Sequence, residues 1–219
     1  MSQIHLVLMG PPGSGKGTQA ARISTQFRIP AISTGDILRA SARQGMLPGE
    51  IKATMASGSL VSDETIMALV RERLANPDTE RGYILDGFPR TAAQTDGLDQ
   101  MLAGQTLLAI ALIVPEAELE RRLDSRRICL NCKAIYDSGT RHGSEEEHCS
   151  RCGVALIKRD DDNLVTIKNR LQTYSQVTEP ILKHYAERNM LARIDGTQAP
   201  DAIFQTIAGH ISRTFNVPT

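Results

Sequence analysis

Short, continuous apolar runs alternate with longer amphipathic stretches along the 219 residues of this chain. That rhythm predicts an α/β fold, a parallel sheet wrapped by helices. The strand candidates are Ile4–Met9, Pro30–Ser33, Tyr83–Leu85, Leu107–Val114 and Leu191–Ile194. Between them the spacing turns helical. Lys16–Phe27 places Ala20, Ile23 and Phe27 on one face, and Thr65–Leu74 does the same with Ile66, Val70 and Leu74. Glu116–Arg127 opens just after Pro115, acidic in its first turn and basic in its last, which complements a helix dipole. A long helical pattern from Asp161 to about Asn189 turns Leu164, Ile167, Leu171 and Tyr174 inward, with a kink at Pro180. Ala202–Ser212 closes the chain.

Two regions break this rhythm. Residues 33–62 insert short helices where a direct crossover would suffice. Residues 127–158 are rich in Cys, Gly, Ser and charge and have no helical period. Both read as excursions that cover the ligand edge of a core built from residues 1–32, 63–126 and 159–219.

Composition narrows the function classes. Lys and Arg balance Asp and Glu at 25 each, so nothing global attracts nucleic acid or a membrane surface. Any affinity for anions must come from a local gathering of arginines. No segment approaches the roughly 18 apolar residues needed to span a bilayer. The N-terminus has no basic region and its apolar run stops within six residues, at Met9, so it reads as a buried strand and not a signal peptide. The expected compartment is the cytoplasm, where cysteines serve more often as metal ligands or free thiols than as disulfides.

The strongest chemical signal follows the first strand. Gly10-Pro-Pro-Gly13-Ser14-Gly15-Lys16-Gly17-Thr18 runs into a helix, the context a phosphate-binding loop requires. Its glycines let successive N–H groups point inward, the helix adds its positive end, and Lys16 reaches the β and γ phosphates. One departure stands out: Gly17 separates the lysine from Thr18, where the general motif has Ser or Thr at once. Tyr83-Ile-Leu-Asp86 is an apolar strand ending in an acid, suited to orienting Mg²⁺ or its waters. As Gly87 follows, a plain turn is the alternative for Asp86.

Cys129-x-x-Cys132 and, sixteen residues on, Cys149-x-x-Cys152 carry zinc-ligand spacing. Four thiolates leave no open position, so the metal would be structural, standing in for the core that a small excursion lacks. Two disulfides, free thiols, or iron or another metal in the same site are the alternatives. His142 and His148 are expected as exposed residues, with His148 a possible substitute ligand.

The Gly-Lys-Gly-Thr variant, Ser33-Thr34-Gly35-Asp36 and Asp86-Gly87-Phe88-Pro89-Arg90-Thr91 together resemble the adenylate kinases of the nucleoside monophosphate kinase family. The resemblance runs from Ile4 to about Gln198. It implies a P-loop NTPase-type core, a monophosphate-binding arm over 33–62 and a metal-bearing lid over 127–158. By motif position, Gly13, Ser14, Gly15, Lys16, Gly17 and Thr18 would hold ATP with its Mg²⁺. Arg122, Arg126, Ile135, Tyr136 and Gln198 would join them. Thr34, Arg39, Ser59, Leu60, Val61, Gly87, Arg90 and Gln94 would hold AMP. An amide such as that of Gln94 supplies both a donor and an acceptor, which suits an adenine edge. Arg159 and Arg170 resemble the arginines that close on the transferring phosphoryl group, while Arg121 and Arg127 are expected to be solvated. Spacing suggests that Arg122 and Arg126 share a helix face, and that Gln94 is helically adjacent to Arg90.

The implied reaction is reversible: ATP and AMP give two ADP. An AMP phosphate oxygen is already anionic, so no general base is needed, and catalysis reduces to positioning and charge neutralisation by Lys16, Mg²⁺, Asp86, Arg90, Arg126, Arg159 and Arg170. A monomer is expected, with ATP, AMP and ADP as its partners. A kinase for another monophosphate, a GTP:AMP phosphotransferase, and a nucleotide-switched zinc-ribbon module for nucleic acid are the competing readings.

Overall fold

The structure, a computed structural model, describes residues 3–132, 134–136, 148–159 and 161–218. His142 lies outside them. Five parallel strands form the central sheet: β1 (Ile4–Met9), β2 (Ala31–Ser33), β3 (Gly82–Asp86), β4 (Leu107–Ile113) and β8 (Leu191–Asp195). Their order across the sheet is β2-β3-β1-β4-β8. Every apolar run that predicted a strand is one.

Strand side chains alternate between faces, and β1 shows how that builds two cores. Leu6 and Leu8 point to one face, where Ile23 and Phe27 of α1 (Lys16–Phe27) meet Ile207, Ile211 and Phe215 of α9 (Pro200–Phe215). Val7 and Met9 point to the other, among Val70 of α4 (Asp63–Leu74), Leu98 and Leu102 of α5 (Ala92–Leu102) and Tyr185 of α8 (Ile181–Glu187). Burying each such aliphatic side chain stabilises the fold by roughly 1.5–3 kcal/mol.

Three helical expectations need correction. The pattern over Glu116–Arg127 ends two residues early: α6 spans Glu116–Ser125, and Arg126 is already extended at φ −59, ψ 132. Arg127 opens a new strand and donates to the carbonyl of Arg126 at 3.0 Å, closing the helix from outside. Leu164 is the first residue of α7 (Leu164–Thr173) and is 68% exposed, because the first turn projects past the core that buries Ile167 and Leu171. Before Pro180 the chain widens into a π turn over Tyr174–Thr178, so the break spans a segment and not a single residue.

Residues 34–57 carry α2 (Thr34–Arg43) and α3 (Gly49–Ser57). The cysteine-rich excursion holds a small antiparallel sheet of β5 (Arg127–Cys129), β6 (Ile135–Tyr136) and β7 (Leu156–Ile157), ordered β6-β5-β7. Both excursions overhang the carboxyl edge of the parallel sheet, where ligands of open α/β folds bind. No described helix is long and apolar enough to cross a membrane.

Candidate active site

The loop between β1 and α1 has the backbone a phosphate cradle needs. Gly13 and Gly15 sit at φ 84 and 96, the left-handed region, and Gly15 is the N-cap of α1 with no side chain in the way. Ser14 is wholly buried, and its Oγ has no hydrogen-bond partner. Lys16 Nζ donates to the carbonyls of Gly10 and Pro11 at 2.8 and 2.9 Å. Burial pulls its pKa down to about 8, against the opposing charge of Asp86. Asp86, at the end of β3, is pushed up by burial and drawn back by Lys16.

The Gly17 departure has a steric reason. A Cβ there would come within 3.1 Å of Ile135 Cδ1 on β6 and 3.8 Å of Asp86 Oδ2. The missing side chain makes room for the cysteine-bearing excursion to rest on the phosphate loop.

Two adjoining cavities open from this edge. Gly13, Gly15, Lys16, Gly17, Thr18, Asp86, Arg122, Arg126, Ile135 and Arg159 line the first. The second is lined by Thr34, Ser59, Leu60, Val61, Gln94 and Asp161. Gly87, Arg39, Arg90 and Arg170 border both. On the second side, Thr34 Oγ1 and Arg90 Nε both donate to the Gly87 carbonyl, at 3.0 and 2.8 Å. Gln94 Oε1 accepts from Arg90 N–H at 2.8 Å while its amide nitrogen donates to Asp63 Oδ1 at 2.7 Å. Arg90 precedes the Thr91 N-cap of α5, so Gln94 is not its neighbour on a helix face but reaches back to it from the first turn. Arg122 and Arg126 likewise share the cavity without sharing a helix face, because Arg126 lies beyond α6.

What holds the arginines in place is a set of carboxylates that sequence reasoning did not assign. Asp162 is 1% exposed and takes both Arg126 Nη2 and Arg126 Nε, the latter at 2.7 Å. Arg170 lies 3.4 Å from the same carboxylate and 3.1 Å from Asp161. Asp161 also faces Arg39 at 3.5 Å, and Asp36 pairs with Arg39 at 2.7 Å and approaches Arg159 at 4.0 Å. Burial works against Asp36 and Asp161, yet the surrounding guanidinium groups hold both below the usual carboxylate range. Burial also lowers Arg159 and Arg170 to about 10, and both still carry full charge near neutral pH. Breaking such a buried pair costs about 3–5 kcal/mol, since it strands the remaining charge. The only hint in the sequence was the acidic run that follows Arg159.

Other expected site residues fall elsewhere. Gln198 is exposed, beside Asp195, and borders neither cavity. Tyr136 turns away from the cavities: it is buried, with its hydroxyl 3.2 Å from Cys149 Sγ and 3.0 Å from Ser150 Oγ. Arg121 is half exposed and pairs with Glu118, as a solvated residue would.

The four cysteines converge. Cys129 Sγ and Cys152 Sγ are 3.4 Å apart, as are those of Cys132 and Cys149, and all four lie within 4.8 Å of one another. A disulfide requires about 2.05 Å, so all four are free. Thiolates placed tetrahedrally at about 2.3 Å from zinc would stand roughly 3.8 Å apart, a spacing this group brackets. Tight turns present the sulfurs, as in the Gly153 N–H donation to Cys149 O at 2.8 Å. His148 is exposed and stands outside the group.

A family model described as adenylate kinase matches residues 8–190. An adenylate kinase of Desulfitobacterium hafniense is 46% identical, covering 93% of this chain and 96% of its own. One from Archaeoglobus fulgidus is 42% identical with the same coverage, and one from Thermodesulfovibrio yellowstonii is 42% identical over 96% of this chain and all of its own. The chain belongs to the adenylate kinase family.

Proposed function

We propose that this member of the adenylate kinase family moves the γ-phosphoryl group of ATP to AMP across the wall of arginines that its two cavities share. That shared wall is the observation that carries the assignment of residues. The cavity on the phosphate loop takes ATP through Gly13, Ser14, Gly15, Lys16, Gly17 and Thr18, with Arg122, Arg126 and Ile135 closing over it. Tyr136 and Gln198, whose side chains face elsewhere, would serve through their backbone. The second cavity takes AMP: Thr34 and Gln94 meet the base, Ser59, Leu60 and Val61 line its approach, and Arg39 and Arg90 grip its phosphate beside Gly87.

An AMP phosphate has its second pKa near 6, so its oxygen attacks without a base. The residues' task is to bring two polyanions into line and neutralise their repulsion. Arg90, Arg126, Arg159 and Arg170 supply planar donors that match phosphate oxygens, and Lys16 moves from the loop carbonyls to the transferring end of the triphosphate. Asp86 and Thr18 offer hard oxygen ligands beside the phosphate loop and would hold Mg²⁺ with its waters. The ion, when bound, neutralises charge on the β and γ phosphates.

Cys129, Cys132, Cys149 and Cys152 fit a structural zinc ion, a cross-link for a sheet with almost no apolar core. On this reading residues 33–62 form a mobile AMP arm and 127–158 a lid. Residues 1–32, 63–126 and 159–219 are the fixed core of a cytoplasmic monomer. Purified protein given ADP and Mg²⁺ should produce ATP and AMP, and with AMP it should accept ATP in preference to GTP. Lys16→Met and Arg126→Ala should cut turnover by orders of magnitude with the fold retained. Near-normal turnover in both variants would overturn the assignment.

A further inference from the structure

Helix α3 ends with four carbonyls that its own ladder leaves without partners, as every α-helix does. Two are satisfied locally. Ser59 N–H returns to Thr54 O at 3.1 Å and Gly58 N–H to Met55 O at 3.2 Å, the bonding of a Schellman cap, with Gly58 in the left-handed region at φ 79. The remaining two are satisfied from another element. Thr166 Oγ1 donates to Ala56 O at 3.0 Å, and Asn169 Nδ2 donates to Ser57 O at 3.1 Å. Both donors belong to α7 and stand three residues apart, hence on one face. The contact is close. A Cβ at Gly58 would lie 2.9 Å from Arg170 Cγ and 3.0 Å from Thr166 O.

We propose that Thr166 and Asn169 are positioning residues for the acceptor nucleotide: together they form a latch that completes the C-terminal cap of α3 only when the arm lies against α7. The segment placed by the latch is Gly58–Val61, whose residues line the second cavity beside Arg170. With the arm swung away, the Ala56 and Ser57 carbonyls turn to water instead. The latch therefore sets the closed fraction of the arm, and acceptor affinity scales with that fraction. Neither side chain borders either cavity, so their effect is exerted through the backbone of α3. This consequence for the acceptor rests on the reading of the second cavity as the AMP site.

The test is the double variant Thr166→Val with Asn169→Ala, nearly isosteric at the buried position and without either donor. Amide hydrogen exchange over residues 49–57 of the nucleotide-free protein reads the latch by itself and should quicken in the variant. Steady-state kinetics read the consequence. The KM for AMP should rise roughly five- to thirty-fold, the loss of two hydrogen bonds of ordinary net worth, while the KM for ATP and kcat stay near those of the parent. Thr166→Ser in place of the valine keeps the hydroxyl and should recover one of the two bonds, about two- to five-fold of the lost AMP affinity. Unchanged exchange in α3 would overturn the latch. An equal rise in both KM values, or a fall in kcat at constant AMP KM, would show a general distortion of α7 and overturn it too. If the parent protein fails to convert ADP to ATP and AMP, the AMP reading falls while the exchange result still judges the latch.

Discussion

Replacing Asp162 by Asn tests whether the carboxylates that sort the arginines are structural or catalytic, and the structure requires both. Asp162 has a fully buried side chain and pairs with Arg126, itself only 10% exposed at the side chain, with Arg170 3.4 Å away. The amide keeps the shape and one acceptor but removes the charge, leaving Arg126 without its Asp162 countercharge and Arg170 with Asp161 at 3.1 Å. The low end of the cost of breaking a buried pair, about 3 kcal/mol, applies. For a chain of this length each kcal/mol shifts Tm by roughly 2–4 °C, so the free variant should melt about 6–12 °C below its parent. Phosphate groups delivered by ATP and AMP would supply the missing countercharge, so saturating nucleotide should narrow that gap. Turnover, by contrast, should fall by roughly a hundredfold, because Arg126 and Arg170 lose the partner that fixes their geometry, and misplacements of about 1 Å have that effect. Differential scanning fluorimetry with and without nucleotide, set beside kcat, separates the two. A Tm gap that stays constant or widens with nucleotide, or an unchanged kcat, would refute the reasoning.

Further outcomes can be checked with purified protein. With its pKa pulled to about 8, free Lys16 is part neutral at pH 8, whereas a bound triphosphate favours its charged form. Nucleotide binding near pH 8 should therefore take up protons, visible by calorimetry in buffers of different ionisation enthalpy, and Lys16→Met should abolish the uptake. For the free fold the sign is the reverse of the usual stabilising pair: the folded pKa lies below the unfolded value of 10.5, so this group adds stability as pH rises from about 8 towards 10.5. On the proposed zinc reading, a strong chelator should expose four titratable thiols per chain and unfold the small sheet before the core, read as a separate, lower melting transition. Gly17→Thr should raise the KM for ATP about tenfold by pushing against Ile135, and Ile135→Ala should recover part of that loss. Additive effects of the two substitutions would disprove the contact.

The backbone plan was largely legible because it rests on periodicity. Lys16–Phe27 came out with the expected boundaries, and each predicted strand is a strand. No apolar stripe announced helix α5: Gln94, Thr95 and Gly97 are among its buried residues, and only the spacing of Gln94 from Arg90 hinted at a helix there. The phosphate loop, the cysteine quartet and the arginines were readable as motifs. Their partners were not. Asp162 lies 36 residues from Arg126, and only the fold decides which of several nearby carboxylates meets which guanidinium. The side that the Tyr136 phenol takes was unreadable for a similar reason. A two-residue strand gives no alternation from which to judge the side a phenol will take.

That strand has a wider implication. Ile135 and Tyr136 are neighbours in sequence yet face opposite sides of the small sheet, one resting on Gly17 and the other buried against the sulfur cluster. On the proposed reading, the nucleotide-facing surface and the metal-holding surface would be the front and back of a single ribbon. A different set of buried side chains in place of the four cysteines is therefore expected to leave the contact of Ile135 with Gly17 in place.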